Sequence, residues 1–185
     1  MRRLRILWIT LVAVVADQAS KIVVAHRMVL GSTVCVLGDF LRLTYIRNPK
    51  AAFSIALGSR AFHMTAASVA MALILAVLWR SQTQRRLLRA GLALILGGAI
   101  GNLIDRIRLG EVIDFIDVDF FNIHLHWGGV HLTMNRWPVF NVADAAVTVG
   151  VVLLVAVYAF AKEAGEVHGR ADSVDSARAK GTQTP

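Results

Sequence analysis

Two short stretches of this chain put a carboxylate where apolar neighbours exclude water. In EVIDFIDVDF, Asp114 is flanked by Val112, Ile113, Phe115 and Ile116, which bury whatever lies between them. In FNVADAAVTVGVVLLVAVYAF, Asp144 opens a run long and apolar enough to cross a bilayer. An ionised aspartate at a membrane centre costs at least about 2.5–3.5 kcal/mol. Asn141 and Asp144 are three residues apart just after Pro138, the spacing of a helix N-cap with an acid at N3, so capping is by itself a complete reason for Asp144. Asp114, in the same outer connection and at the same expected depth, shifts the balance towards chemistry. Two carboxylates held together in a poorly hydrated pocket cannot both ionise: one keeps its proton near neutral pH while the other stays charged. The charged one takes a proton from water and the protonated one polarises a carbonyl. That is aspartic-peptidase chemistry, with neither a metal nor a covalent acyl intermediate. Asn48, Asn102, Asn141 and Arg106 are candidates to orient substrate carbonyls or the tetrahedral intermediate.

Other polar residues carry weaker signals. DQASK places Asp17 four residues ahead of Lys21, the favourable order for a helical ion pair. It reads equally as a structural pair and as support for a site. Ser20 and Lys21 are adjacent and point about 100° apart on a helix, which argues against a serine/lysine peptidase. Asp105 and Arg106, at the end of a helix, read as an interfacial pair. Asp117 and Asp119, in a connection, read as solvated acids. Gly97, Gly98 and Gly101 leave a smooth helix face for another helix or an extended peptide. His124, His126 and His131 lack an HExxH motif, Cys35 lacks a neighbouring base, and no phosphate-binding loop is present. No metal or cofactor is therefore expected. The reading from a different class is a small proton-coupled transporter or channel component using Asp17, Lys21, Asp114 and Asp144. Such a protein wants acids near the bilayer midplane, whereas these cluster towards one surface.

The elements that must position these residues follow from composition. Of the 185 residues, 56% are hydrophobic and 17% charged, and mean hydropathy is +0.60, the balance of a membrane protein. Spans are predicted at about 4–25, 61–79, 87–104 and 142–161, each near the ~20 residues that cross ~30 Å of hydrocarbon. Residues 1–161 thus form one four-helix, all-α membrane domain. Arg2, Arg3 and Arg5, then Arg80, Arg85, Arg86 and Arg89, then Lys162 flank the spans, so both termini and the 80–89 loop are expected in the cytoplasm. The connections 26–60 and 105–141 face outward. An Arg-rich start before ILWITLVAVVA also describes a secretory signal peptide, but the apolar pattern resumes after Lys21. DFLRLTYIRN alternates as a short strand does, and AAFSIAL suits a short interfacial helix. Residues 162–185 are polar and expected to be disordered. The net charge of +8 gathers beside apolar runs rather than on a basic face, so no nucleic acid is expected.

These stretches resemble the lipoprotein signal peptidases (signal peptidase II) of bacteria. DQASK resembles the family's first block, GGAIGNLIDRIRLGEVIDF its central block, and FNVAD its last. The resemblance implies four transmembrane helices with a small extracytoplasmic β-containing lobe, in the bacterial inner membrane, with the active site near the outer leaflet. It implies an aspartic endopeptidase that removes the signal peptide from diacylglyceryl-modified prolipoproteins, N-terminal to the lipidated cysteine. Asp114 and Asp144 match the catalytic pair; Asn48, Asn102, Asp105, Arg106 and Asn141 match polar residues around it, and Asp17 and Lys21 the supporting pair. Expected partners are lipidated prolipoprotein signal peptides, membrane lipid and a globomycin-type inhibitor, with the chain acting as a monomer. Two departures stand out. Lys50 in NPKAAF replaces the family's usual glycine, and the interval between Asp114 and Asp144 is longer by about ten residues, within DVDFFNIHLHWGGVHLTMNR. An insertion in a surface loop costs little closure entropy.

Overall fold

The computed structural model describes residues 2–49, 86–119, 123–127, 130–134 and 136–159, together with Thr65, Val69, Ala72, Ile74 and Ala76, all five of them helical. Most of the predicted span 61–79, Lys50, the AAFSIAL segment and the tail 162–185 lie outside the described residues. Among the described residues, three helices are long and apolar enough to cross a membrane: α1 (Arg2–Arg27, apolar from Leu7), α2 (Arg86–Leu109) and α3 (Val142–Ala159). α2 continues five residues past the predicted span end near 104. Hydropathy marks where hydrocarbon stops, whereas Asp105, Arg106 and Arg108 do not prevent helix. Gly110 ends it, with φ at +82° and its N–H donating to the Arg106 carbonyl at 3.1 Å.

The glycine face of α2 meets helices. Gly97 packs on Thr10 and Ala13 of α1, and Gly98 on Ala143 of α3. Deeper in the bundle Gly91 faces Gly150, so a Cβ on Gly91 would stand 2.8 Å from the Gly150 carbonyl oxygen. In lipid no hydrophobic drive holds helices together, and small residues gain their contact through close backbone approach. A Thr10 hydroxyl donating to the Ala93 carbonyl (3.0 Å) adds a buried link between α1 and α2. α1 is thereby part of the folded bundle, packed along α2 from Thr10 to Lys21.

At one end of the bundle lies a three-stranded antiparallel sheet in the order β1 (Thr33–Leu37), β2 (Leu41–Asn48), β3 (Val112–Val118). β2 contains the strand expected in DFLRLTYIRN. β3 reads as connection in the sequence because its period-two pattern is hidden: residues 112–115 are all buried, acid and apolar alike. Asp117 corrects the solvated reading. It is buried (7% exposed), accepts from the Thr44 hydroxyl at 2.8 Å and pairs with Arg136 at 2.8 Å. Asp119 also reaches Arg136, at 3.3 Å. The longer interval folds as a hairpin, β4 (Ile123–Trp127) with β5 (Val130–Met134). Val24 of α1 packs with Tyr45, Ile113 and Phe115 in the core that fixes the sheet to the helices.

One short crossing sets up everything below. Phe140 bonds to β3: the Phe115 and Ile116 N–H groups donate to its carbonyl at 3.0 and 2.7 Å, and its own N–H donates to the Ile116 carbonyl at 3.0 Å. The first residues of α3 are thus held beside Asp114.

Candidate active site

The start of α3 is built as the sequence suggests. Asn141 Oδ1 accepts from the Asp144 N–H at 2.9 Å, and Asp144 Oδ2 faces the Asn141 N–H at 3.4 Å, a reciprocal cap. Capping does not exhaust either residue. Asn141 is fully buried, and its Nδ2 stands 2.7 Å from Asp114 Oδ1, 3.0 Å from Asn102 Oδ1 and 3.2 Å from the Ile113 carbonyl. The second oxygen of Asp144, Oδ1, accepts from Asn102 Nδ2 at 2.8 Å. Asn48, at the end of β2, donates from Nδ2 to Asp114 Oδ2 at 3.0 Å. The two aspartates therefore belong to one network, joined through the Asn141 side chain and the Asn102 amide. Asp144 is half-buried and Asp114 only 2% exposed.

Burial pushes the Asp114 carboxyl up to about 6. The neighbouring Asp144 charge pushes the same way, while the Asn48 and Asn141 bonds and the Lys21 charge oppose it. A carboxyl poised there exchanges its proton near physiological pH. Arg106 sits within the fields of Asp144, Asp114 and Asp105, and donates from Nη1 to the Asn102 carbonyl at 3.4 Å.

Behind the asparagines lies a buried ionic cluster. Lys21 Nζ is 2.9 Å from Asp17 Oδ2, 2.8 Å from Asp105 Oδ2 and 3.0 Å from Asn102 Oδ1. Sequence adjacency suggests Arg106 for Asp105; the structure gives Asp105 a lysine from another helix. The expected Asp17–Lys21 pair does form, and each member does more. Asp17 Oδ1 accepts the Ala143 N–H at 2.9 Å, satisfying a free amide in the first turn of α3. Asp105 Oδ2 accepts the Ile113 N–H at 3.2 Å and so fixes the start of β3. Charges this far from water persist only when paired and fully hydrogen-bonded. Gln18, absent from the sequence-based candidates, completes the cluster. Its Nε2 lies 3.1 Å from each of Asp17 Oδ2, the Gly101 carbonyl and Asp105 Oδ1. Its signal is present in the sequence: an amide-bearing polar residue between Asp17 and Lys21 in an apolar helix. Gly101 lets α1 come this close, since a Cβ there would lie 2.5 Å from Asp17 Oδ2.

All nine candidate site residues from the sequence thus fall in one connected region at the sheet end of the bundle. An apolar helix bundle with two aspartates linked through asparagine side chains is the arrangement expected of a membrane-embedded aspartic peptidase. Comparison with known proteins agrees. A family model described as signal peptidase II matches residues 9–160. The lipoprotein signal peptidase of Geobacter metallireducens is 43% identical over 149 residues, covering 79% of this chain and 85% of that protein. That of Symbiobacterium thermophilum is 41% identical over 146 residues, covering 79% and 88%. A solved structure of a bacterial membrane enzyme superposes with a TM-score of 0.73 at 28% identity, over 88% of this chain and 90% of that one. The chain belongs to the signal peptidase II family, and it is a membrane aspartic peptidase. The transporter reading is not favoured.

Proposed function

We propose that Asp114 and Asp144 are the catalytic pair of this peptidase, and that it cuts prolipoproteins on the N-terminal side of a diacylglyceryl-modified cysteine. The observation that carries the assignment is the buried Asn141 side chain, bonded to Asp114 and capped against Asp144, which ties two carboxyls from distant parts of the chain into one network. When substrate covers the site and expels water, the pair holds a single proton. The ionised carboxylate accepts a proton from a water as its oxygen attacks the scissile carbonyl carbon. The protonated carboxyl gives its proton to the carbonyl oxygen. Collapse of the tetrahedral intermediate breaks the C–N bond, and the proton taken from water passes to the departing amine. The hydroxyl proton of the intermediate returns to a carboxyl, which restores the singly protonated pair. Asn48 and Asn102 hold the carboxyls in place, and Arg106 supplies positive charge near the developing oxyanion.

Topology fits this chemistry. A fourth span over about 61–79, cytoplasmic termini and an outward-facing sheet put the aspartates at the outer leaflet of the inner membrane. There a diacylglyceryl group stays in lipid while the peptide bond reaches the acids. A globomycin-type cyclic peptide is expected to occupy the same site, and one chain to suffice for activity. The test is cleavage of a synthetic prolipoprotein peptide by the purified protein, with products weighed by mass spectrometry. The expected result is one cut immediately before the lipidated cysteine, unaffected by chelators and absent for the unlipidated peptide. Equal cleavage of both peptides would remove the lipid from the recognition.

A further inference from the structure

A second concavity opens on the other side of the buried Lys21–Asp105 pair. Its volume is about 140 Å³, and it lies between the last turns of α1 and α2 and the β2–β3 sheet. His26, Arg47 and Arg108 ring it, while Ile22, Ala25 and Leu109 form its apolar side. β2 separates it from the catalytic pair: Arg47 lines this concavity, whereas the next residue, Asn48, bonds Asp114.

The charge here is unbalanced. The acid lining the concavity, Asp105, is already bonded to Lys21, Gln18 and the Ile113 N–H. Glu111 acts on Arg47 from a distance, and Arg47 also bonds the Tyr45 hydroxyl. Among the described residues, Arg108 and His26 have neither an ion pair nor a hydrogen bond, and both are exposed. Cations in a last helical turn complement the helix dipole, worth about 0.3–1 kcal/mol each when exposed. His26 and Arg27 stand in the last turn of α1, and Arg106 and Arg108 in that of α2, so each helix end carries two such groups. Moreover, membrane proteins keep their basic residues on the cytoplasmic side, so with the sheet end outward, the topology proposed above on which this inference rests, a cationic ring at the end of two spans runs against that rule. Ile22 and Leu109, 48% and 40% exposed, continue the apolar side onto the exposed surface of the helices.

We propose that this concavity binds the phosphate of an anionic phospholipid headgroup from the outer leaflet. Arg47 and Arg108 hold the phosphate oxygens, His26 flanks them, and the glycerol and first methylenes lie along Ile22, Ala25 and Leu109. Guanidinium groups suit this task because their paired N–H donors match phosphate oxygens. The site is distinct from the peptidase centre yet shares Lys21 and Asp105 with its support, so occupancy stabilises the bundle end on which the aspartates stand.

The experiment compares thermal unfolding of the purified full-length protein in neutral detergent with added short-chain phosphatidylglycerol, short-chain phosphatidylcholine or inorganic phosphate. It is repeated on the Arg47→Gln/Arg108→Gln double variant, whose changes lie at exposed positions outside the catalytic network. The expected result is a saturable rise in midpoint with phosphatidylglycerol, little with phosphatidylcholine, and loss of most of that rise in the double variant. A response to inorganic phosphate equal to that of phosphatidylglycerol would make the ligand a free anion and overturn the lipid assignment. An undiminished response in the double variant, or equal responses to the two lipids, would overturn the site itself. Native mass spectrometry gives a second reading if the variant's midpoint is already altered: co-purified anionic lipid is expected on the wild type and depleted on the variant. Equal lipid on both would again overturn the site.

Discussion

Asp114 shows how a residue proposed for the chemistry can be costly to the fold. Its carboxyl is raised from 3.8 to about 6 by burial above all. Between those values the native state binds a proton that the unfolded chain has released. Stability contributed at this position is therefore greatest at low pH and is lost as pH rises from about 4 through 6. The side-chain amide of an Asp114→Asn variant cannot ionise and escapes that loss. Thermal unfolding of the two proteins in micelles, from pH 4 to pH 7, is predicted to show the wild-type midpoint falling relative to the variant. Parallel midpoints across that range would mean that the site is wet. Asn141 teaches the complementary lesson. Its N-cap spacing is legible in FNVAD, but its bond to Asp114 is not, because nothing local says that Phe140 pairs with β3. Asp117 misleads for the same reason: an acid in an apparent loop looks solvated until Arg136 and Thr44 are brought to it by the fold.

At the scale of elements, the membrane helices are easy to read and the sheet is not. Apolar runs near twenty residues have one cheap solution in lipid, a helix whose backbone bonds are all internal. β1 and β3 join across more than sixty residues of chain through β2, and four consecutive buried residues at the start of β3 erase its alternation. The GGAIG stripe offers two readings, a partner helix or an extended peptide, and the packing of Gly97 and Gly98 on α1 and α3 chooses the first. Gly101 is the sharpest case. A methyl there would meet Asp17 Oδ2 at 2.5 Å and Ala143 Cβ at 3.3 Å, so Gly101→Ala must displace the Asp17 carboxylate from its bonds and crowd the start of α3. Overpacking of this kind costs about 1–3 kcal/mol. The expected outcome is a lower unfolding midpoint together with reduced cleavage, because Asp17 also bonds the Ala143 N–H one residue before Asp144. A midpoint and a rate both equal to wild type would show that this end of the bundle is loosely packed.

At the scale of the whole molecule, three helices and a small sheet among the described residues converge so that polar residues from α1, β2, α2, β3 and α3 form one continuous network in a protein otherwise built for lipid. Residue type and spacing along the sequence single out its members other than Gln18, and the family resemblance supplies their grouping; the bonds between them require the fold. The central claim is that Asp114 and Asp144 together hydrolyse the peptide bond. Its most direct test is the single-turnover rate on a lipidated prolipoprotein peptide for Asp114→Asn and Asp144→Asn, each first shown by circular dichroism and gel filtration to be folded in micelles. General acid–base groups contribute about 10²–10⁴-fold apiece, and paired ones fail together. Each variant is predicted to lose at least about 10³-fold in rate with substrate binding largely retained. A folded variant of either kind that cleaves at the wild-type rate would contradict the account.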